Sequence, residues 1–238
     1  MNEKVSGKGM GADDAGNTVR YYKKVFWREE NLKYTEPHHR LEKSARIINS
    51  IARGEERALL DVGCGPATLM RLLDPNIQYH GIDISIHEPA PNLTEYDFLE
   101  APIRLGDKKF DIIVAQGVFE YTGAFQSQKF LEIAGLLKED GVFILSYVNF
   151  GHRDKEIYWP YNNVQSFDDF RDSLACYFNI VRFFPTSHNW KHSEPNRKLV
   201  RAVNMHLNAN IPVISRKLAV EYFFICSSRN SAGARAQS

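Results

Sequence analysis

The sequence predicts one α/β domain built on a mainly parallel sheet, and three observations carry that prediction. Short apolar runs closed by Gly or Asp recur after Gly54, as ALLDV at 58–62, YHGIDI at 79–84, FDIIVA at 110–115 and GVFILSYV at 141–148. Runs of this length, apolar on both faces, are what buried parallel strands require. Between them lie stretches with helical spacing, PATLMRLL at 66–73 and FLEIAGLLK at 130–138, so strand and helix alternate. Finally, 238 residues with 43% hydrophobic content can enclose one well-buried core, whereas two independent domains would be crowded.

Taken in order, residues 1–18 are rich in Gly, Asp, Asn and Lys and offer almost nothing to bury, so they read as a tail. Aromatics then interleave with charge in RYYKKVFWREE, and EPHHRLEKSARIINSIA places Leu41, Ala45 and Ile48, with Ile47 and Ile51, at three- and four-residue spacings. That spacing predicts an amphipathic helix. The domain proper runs over 56–226. LKEDG at 137–141 stops the second helical spacer before a strand. NLTEYDF at 92–98 predicts a shorter strand, and FNIVRFF at 178–184 and AVEYFFIC at 219–226 predict two late ones, separated by a long irregular segment. Within the insertion at 151–217, Ser166 leads a predicted helix with Phe167, Phe170 and Leu174 on one side. SSRNSAGARAQS at 227–238 reads as a second tail.

Bulk charge excludes some functions. Lys+Arg of 30 against Asp+Glu of 29 leaves a formal net charge of +1, so no global field draws the chain to nucleic acid or a membrane. Cys64, Cys176 and Cys226 are odd in number and lack metal spacing, which fits a reducing cytoplasm better than a disulfide framework or a zinc site. No signal-peptide pattern opens the chain, and no segment approaches the roughly 20 apolar residues of a membrane span. A cytoplasmic protein is expected.

The sharpest local signal is Asp61-Val62-Gly63-Cys64-Gly65-Pro66-Ala67, which follows an apolar strand and opens a helical pattern. Glycines there permit a tight turn and let a ligand approach the backbone. Asp83 ends the next strand about 20 residues on, where a carboxylate can accept both ribose hydroxyls of a nucleoside-bearing cofactor. Nicotinamide dinucleotide and S-adenosylmethionine both meet this description. A dinucleotide fingerprint would call for Gly or Ala at position 68, where the sequence has Thr68, and would not call for the acid Asp61 at the end of the first strand. Cys64 reads as a small loop residue, since no histidine or basic partner is near it in sequence.

DVGCGPA, YHGIDIS and FDIIVAQGVFEY, in this order over residues 56–148, resemble the class I S-adenosylmethionine-dependent methyltransferases, in particular the small-molecule group with a DxGCGxG first motif. The resemblance implies a Rossmann-like seven-stranded sheet of order 3-2-1-4-5-7-6 with the last strand antiparallel, an N-terminal lid over 19–55 and a C-terminal cap over 151–217. It also implies S-adenosylmethionine as cofactor and S-adenosylhomocysteine as product, and no metal is expected because no carboxylate cluster reads as a magnesium site. By the same resemblance Asp61, Gly63, Cys64 and Gly65 cradle the methionine part, and Asp83 with Ile84 beside it holds the ribose. Asp97 and Phe98 would meet the adenine, Gln116 and Gly117 the methionyl end or the methyl, and Tyr34 would close over the cofactor. Ala67 replaces the usual third glycine, and Tyr121 stands where many relatives carry histidine.

Methyl transfer asks mainly for in-line positioning and exclusion of water. An oxygen acceptor must also lose a proton, for which His is poised at neutral pH. His38, His39, His152, His188 and His192 are the candidates, with His188, His192 and Tyr121 singled out as catalytic. Tyr22 and Trp27 join Tyr34 as lid aromatics whose faces suit a sulfonium, and Tyr158, Trp159, Tyr161 and Trp190 are candidate pocket walls. Arg182, Lys191, Arg197, Lys198, Arg201, Arg216 and Lys217 face Glu194 alone in the same stretch. This local excess points to an acceptor with phosphate or carboxylate, such as a nucleotide-linked sugar or a glycan, or to a solvated helix face. The short stripe of Leu199, Val203 and Leu207 is a weaker membrane-surface signal. The expected partner is thus a small molecule, not nucleic acid. The alternatives are a nicotinamide-dependent oxidoreductase and a non-catalytic cofactor-binding protein.

Overall fold

The computed structural model describes residues 39–86, 88–98, 102–150, 164–188, 202–204 and 206–229. Helix α1 (His39–Ala52) is followed by strands β1 (Arg57–Val62), β2 (Ile77–Asp83), β3 (Leu93–Glu95) and β4 (Phe110–Gln116). Helix α2 (Gln126–Leu136) leads directly into β5 (Leu137–Val148). Helix α3 (Phe167–Ala175), β6 (Phe178–His188), the short α4 (Pro212–Leu218) and β7 (Ala219–Ser228) complete the described elements.

The seven strands form one sheet of order β3-β2-β1-β4-β5-β7-β6. Strands β1 to β5 pair in parallel, while β7 runs antiparallel to both β5 and β6. This is the Rossmann-like order implied by the sequence motifs. The strand periodicity of two explains how one apolar run serves two cores. On β4, Ile112 and Val114 point to the cluster that takes Ala45, Ile48 and Ala52 of α1. Its alternate residues Ile113 and Ala115 face the cluster containing Phe130 and Ile133 of α2 and Phe170 and Leu174 of α3. Helices therefore cover both faces, which removes water from the parallel ladder.

Aromatic stacking fixes the second face: Tyr147 of β5 lies 3.7 Å from Phe170 at an interplanar angle of 9°. The Ser166 Oγ accepts from the Asp169 amide at 3.1 Å, so α3 begins where the sequence places its cap. On the other face, the α1 residue Lys43 is buried and its Nζ donates to the carbonyls of Pro185 (3.0 Å), Asn204 (2.9 Å) and Leu207 (3.0 Å). These contacts tie α1 to β6 and to the segment before α4.

Four expectations change. PATLMRLL forms only a five-residue 3-10 turn, Thr68–Leu72, because Ala67 takes a left-handed conformation (φ 52°) and Leu73 is already extended. Strand β5 starts at Leu137, four residues early, since Leu137 pairs with Phe110 and a register break before Ile112 and Val142 absorbs the extra residues. The expected strand at 92–98 is confined to Leu93–Glu95, and β7 continues to Ser228, two residues into the segment read as a tail. Among the described residues no helix is long and apolar enough to cross a membrane.

Candidate active site

In an open parallel sheet, ligands sit outside the carboxyl ends of the strands, where the strand order reverses. Here that point lies between β1 and β4. The chain leaves β1 through Gly63 (φ 73°), Gly65 (φ 53°) and Ala67, all in the left-handed region. The amides of Gly63 and Cys64 donate to the Ile82 carbonyl at 2.8 and 3.1 Å, so the loop is pinned to the end of β2. Gly63 could not carry a side chain: a Cβ there would sit 2.5 Å from Val118 Cγ2.

Asp83 closes the turn. Its Oδ2 accepts from the Gly65 amide at 2.8 Å and its Oδ1 from the Ser85 amide at 3.1 Å. Burial raises its pKa to about 6 against the pull of these amides. Asp61 accepts from the Tyr79 hydroxyl at 2.7 Å. Burial pushes it up to about 7, the Tyr79 bond opposes that, and the nearby Asp83 charge adds to it. The Cys64 thiol is buried, its pKa is raised by burial and by both aspartates, and it is unsuited to act as a nucleophile. Ile84 is half-buried beside Asp83, and Asp97 is half-buried beyond β3. The Phe98 ring is buried in the core, edge-on to Phe119 at 5.9 Å and with Lys129 Nζ 5.0 Å from its centroid.

Across the crevice, β4 ends at Gln116, and Gly117 takes φ 66°. Its amide donates to Ser146 Oγ at 3.0 Å, and that hydroxyl donates to Glu221 Oε1 at 2.5 Å. Arg40 Nη1 meets the same oxygen at 3.1 Å, and Thr186 Oγ1 donates to Glu221 Oε2 at 3.0 Å. Glu120, in the 3-10 turn Phe119–Tyr121, is fully buried, and its Oε1 accepts from the Val148 amide at 2.9 Å. Burial and the Glu221 charge raise its pKa to about 8, with the Val148 amide and Arg40 opposing. Tyr121 is half-buried in the same turn.

The strand ends thus bring together Asp61, Gly63, Cys64, Gly65, Asp83, Ile84, Gln116, Gly117 and Tyr121 from distant parts of the sequence. A methyltransferase-domain family model matches residues 37–184. The chain belongs to the class I S-adenosylmethionine-dependent methyltransferase family. No curated protein sequence matches the chain. Three solved methyltransferase structures share its fold at low identity. The 1,6-didemethyltoxoflavin-N1-methyltransferase of Burkholderia thailandensis is 14% identical, with a TM-score of 0.60 over 94% of this chain and 93% of its own. N-methyltransferase NodS of Bradyrhizobium japonicum, in complex with S-adenosylhomocysteine, is 11% identical, with a TM-score of 0.58 over 91% of this chain and all of its own. The plantazolicin methyltransferase BpumL is 12% identical, with a TM-score of 0.57 over 91% and 95%. Family membership sets aside the oxidoreductase alternative.

Several sequence-predicted residues of this methyltransferase lie outside the described residues: Tyr22, Trp27, Tyr34, His38, His152, Tyr158, Trp159, Tyr161, Trp190, Lys191, His192, Arg197, Lys198, Leu199 and Arg201. His39 opens α1, His188 ends β6 opposite Ala219, and Arg216 and Lys217 belong to α4, but their side chains are likewise outside the described set. Arg182 is exposed, donates to the Asn208 carbonyl and lies 5.2 Å over the Phe184 ring. Among the described residues no group of His, Cys, Asp and Glu could hold a metal ion. Sequence reasoning passed over Arg40, Glu120, Ser146 and Glu221. A visible signal existed for two of them: Glu221 is an acid inside an apolar strand run, and Glu120 sits between aromatics.

Proposed function

We propose that this enzyme transfers the methyl group of S-adenosylmethionine to an oxygen or nitrogen of a small-molecule acceptor. The observation that carries this reading is the left-handed glycine turn after β1, held by the Gly65 amide against Asp83 at the end of β2. The residues present fit such a donor. Gly63 is exposed and leaves its backbone bare, the Asp83 carboxylate with its roughly four lone-pair sites keeps capacity beyond the amides of Gly65, Ser85 and Ile84, and the raised acids of the crevice are relieved by a cation. When bound, the donor supplies an electrophilic methyl on a cationic sulfur.

In this reading Asp83, with Ile84 beside it, holds the ribose hydroxyls, and Asp61, Gly63, Cys64 and Gly65 surround the methionyl part. Asp97 and Phe98 border the adenine, Gln116 and Gly117 border the methyl, and Tyr34 belongs to the lid. Positioning supplies most of the catalysis. The neighbours' names, a toxoflavin-precursor N1-methyltransferase, an N-methyltransferase and a plantazolicin methyltransferase, support a small-molecule or natural-product acceptor. The basic run from Arg182 to Lys217 supports an acceptor that also carries phosphate or carboxylate, with His188, His192 or Tyr121 as its catalytic residue. A soluble, cytoplasmic enzyme is the corresponding cellular reading.

Calorimetric titration with S-adenosylhomocysteine tests the donor assignment. Wild type should bind, and Asp83→Asn should weaken binding by about 1–3 kcal/mol through loss of charge-assisted hydrogen bonds. Unchanged affinity in Asp83→Asn would remove Asp83 from the site, and absence of binding in wild type would remove the reading altogether. A protein that binds the product yet methylates no acceptor would be the non-catalytic alternative.

A further inference from the structure

We propose that Glu120 is a catalytic residue that accepts the hydrogen bond, and then the proton, of the acceptor's nucleophilic N–H or O–H. The proposal rests on the donor site described above. With the nucleoside at Asp83 on β2 and the methyl beside Gln116 at the end of β4 and Gly117 just after it, the sheet order leaves the β5 and β7 side for the acceptor. Glu120 stands on that side, one 3-10 turn beyond β4. Its Oε1 is fixed by the amide of Val148, which pairs with Glu221 across β5 and β7.

Among the described carboxylates the hydrogen-bond inventory distinguishes this one. Glu221 is committed, since Oε1 serves Ser146 and Arg40 and Oε2 serves Thr186. Glu120 Oε2, by contrast, is buried and finds no donor among the described residues, and the same holds for Gln116 Oε1 nearby in the chain. A buried acceptor left without a donor is costly and is expected to have a partner in the working state. Gln116 Oε1 is an acceptor, and so is Glu120 Oε2 in its ionised form, so the ligand group that complements the ionised pair is a donor.

The charges facing Glu120 are Glu221 of β7, which repels its ionised form, and Arg40 of α1, which favours it; Tyr147 of β5 also senses its charge. A cationic sulfonium nearby favours the ionised form as well. In the step, the nucleophile's electron pair forms the new bond to the methyl carbon. The carbon–sulfur bond breaks with its pair remaining on sulfur, and the N–H or O–H proton passes to Oε2. Sulfonium and carboxylate charges vanish together, so charge is conserved and no other co-reactant is needed.

The test uses S-adenosylhomocysteine analogues in which nitrogen replaces sulfur and carries a 2-aminoethyl, propyl or carboxymethyl arm reaching past the methyl position. The aminoethyl arm should bind at least about tenfold more tightly than the other two. Glu120→Gln should erase that preference while leaving S-adenosylhomocysteine affinity unchanged, a split that a merely structural role would not produce. The proposal is overturned if the preference survives in Glu120→Gln, or if the propyl or carboxymethyl arm matches the aminoethyl arm in wild type. The wild-type ranking decides alone if Glu120→Gln fails to fold. Failure of wild type to bind S-adenosylhomocysteine itself refutes the donor site, and this assignment with it.

Discussion

Gly63→Ala isolates the contact on which the cofactor loop depends. At φ 73° an alanine pays about 1–2 kcal/mol for the left-handed backbone. Its Cβ would also lie 2.5 Å from Val118 Cγ2, closer than side chains pack, and Val is stiff about χ1. Forcing Val118 aside costs about another 1–3 kcal/mol, so the variant should lose about 2–5 kcal/mol of stability in urea unfolding. A double-mutant cycle separates the two parts. In a Val118→Ala background the steric part vanishes, and Gly63→Ala should then cost only the backbone part, about 1–2 kcal/mol. S-adenosylhomocysteine affinity should fall in Gly63→Ala, because the loop and the end of β4 move apart, and should partly recover in the double variant. Equal costs of Gly63→Ala in the two backgrounds would show that the loop does not press on Val118 and would refute the reasoning.

Other expectations follow from the same geometry. Asp61, Asp83 and Glu120 all have folded pKa values raised above about 4, so the stability they contribute is full below that pH and is lost as pH rises through about 6 to 8. Urea midpoints of the ligand-free protein should therefore decline from pH 5.5 to 8, and Glu120→Gln should flatten the upper part of that decline; a flat wild-type profile would contradict the burial of these acids. Lys43, lowered to about 8, works in the opposite sense above that pH, which is why the window ends there. Lys43→Met should loosen α1 from β6 and raise amide exchange in α1, because three close carbonyls lose their donor; unchanged exchange would mean the apolar face alone holds the helix. Ser166→Ala should cost about 0.5–2 kcal/mol by removing the cap of α3, with cofactor affinity intact.

Local pattern was enough for the strands. Each apolar run has its strand in the sheet, since burial on both faces leaves no other use for ALLDV or FDIIVA. Pattern failed where the deciding fact was nonlocal. ATLMRLL has helical spacing, yet β2 begins at Ile77, only a few residues after Leu73, so the chain has room for one 3-10 turn and no more. KED at 138–140 looks like a helix end, but Leu137 is captured by Phe110 of β4, and no local signal announces that pairing. The same limit applies to the site. The glycine turn and Asp83 could be read because strand, turn and acid are close in sequence. The network joining Arg40, Gly117, Ser146 and Glu221 spans 181 residues between its ends and exists only through the β5–β7 register. Histidine was sought as the base because of its usual pKa, whereas burial gives a glutamate the same range at a position where residue type alone signals nothing.

The crevice concentrates buried acids in a way that stability alone would oppose. Asp61, Asp83, Glu120 and Glu221 approach it from β1, β2, the turn after β4 and β7, and each is at least nine-tenths buried. The first three titrate upward because water has been removed, with neighbouring carboxylates adding to the shift. Against them, Arg40 is the guanidinium the described residues pair with Glu221. Replacing such acids by amides would relieve the folded protein, so a partner present only in the working state would account for them. A cation fits that requirement. It would lower the acids' pKa values and release protons on binding, and its affinity would weaken as the pH drops through about 7 and then 6 and Asp61 and Asp83 become protonated. A sulfonium bearing an ammonium group is such a ligand, whereas its neutral thioether product has lost one of the two charges. In that reading the same electrostatics that makes the empty crevice costly would favour donor over product, and methyl transfer itself would weaken the hold on what must leave.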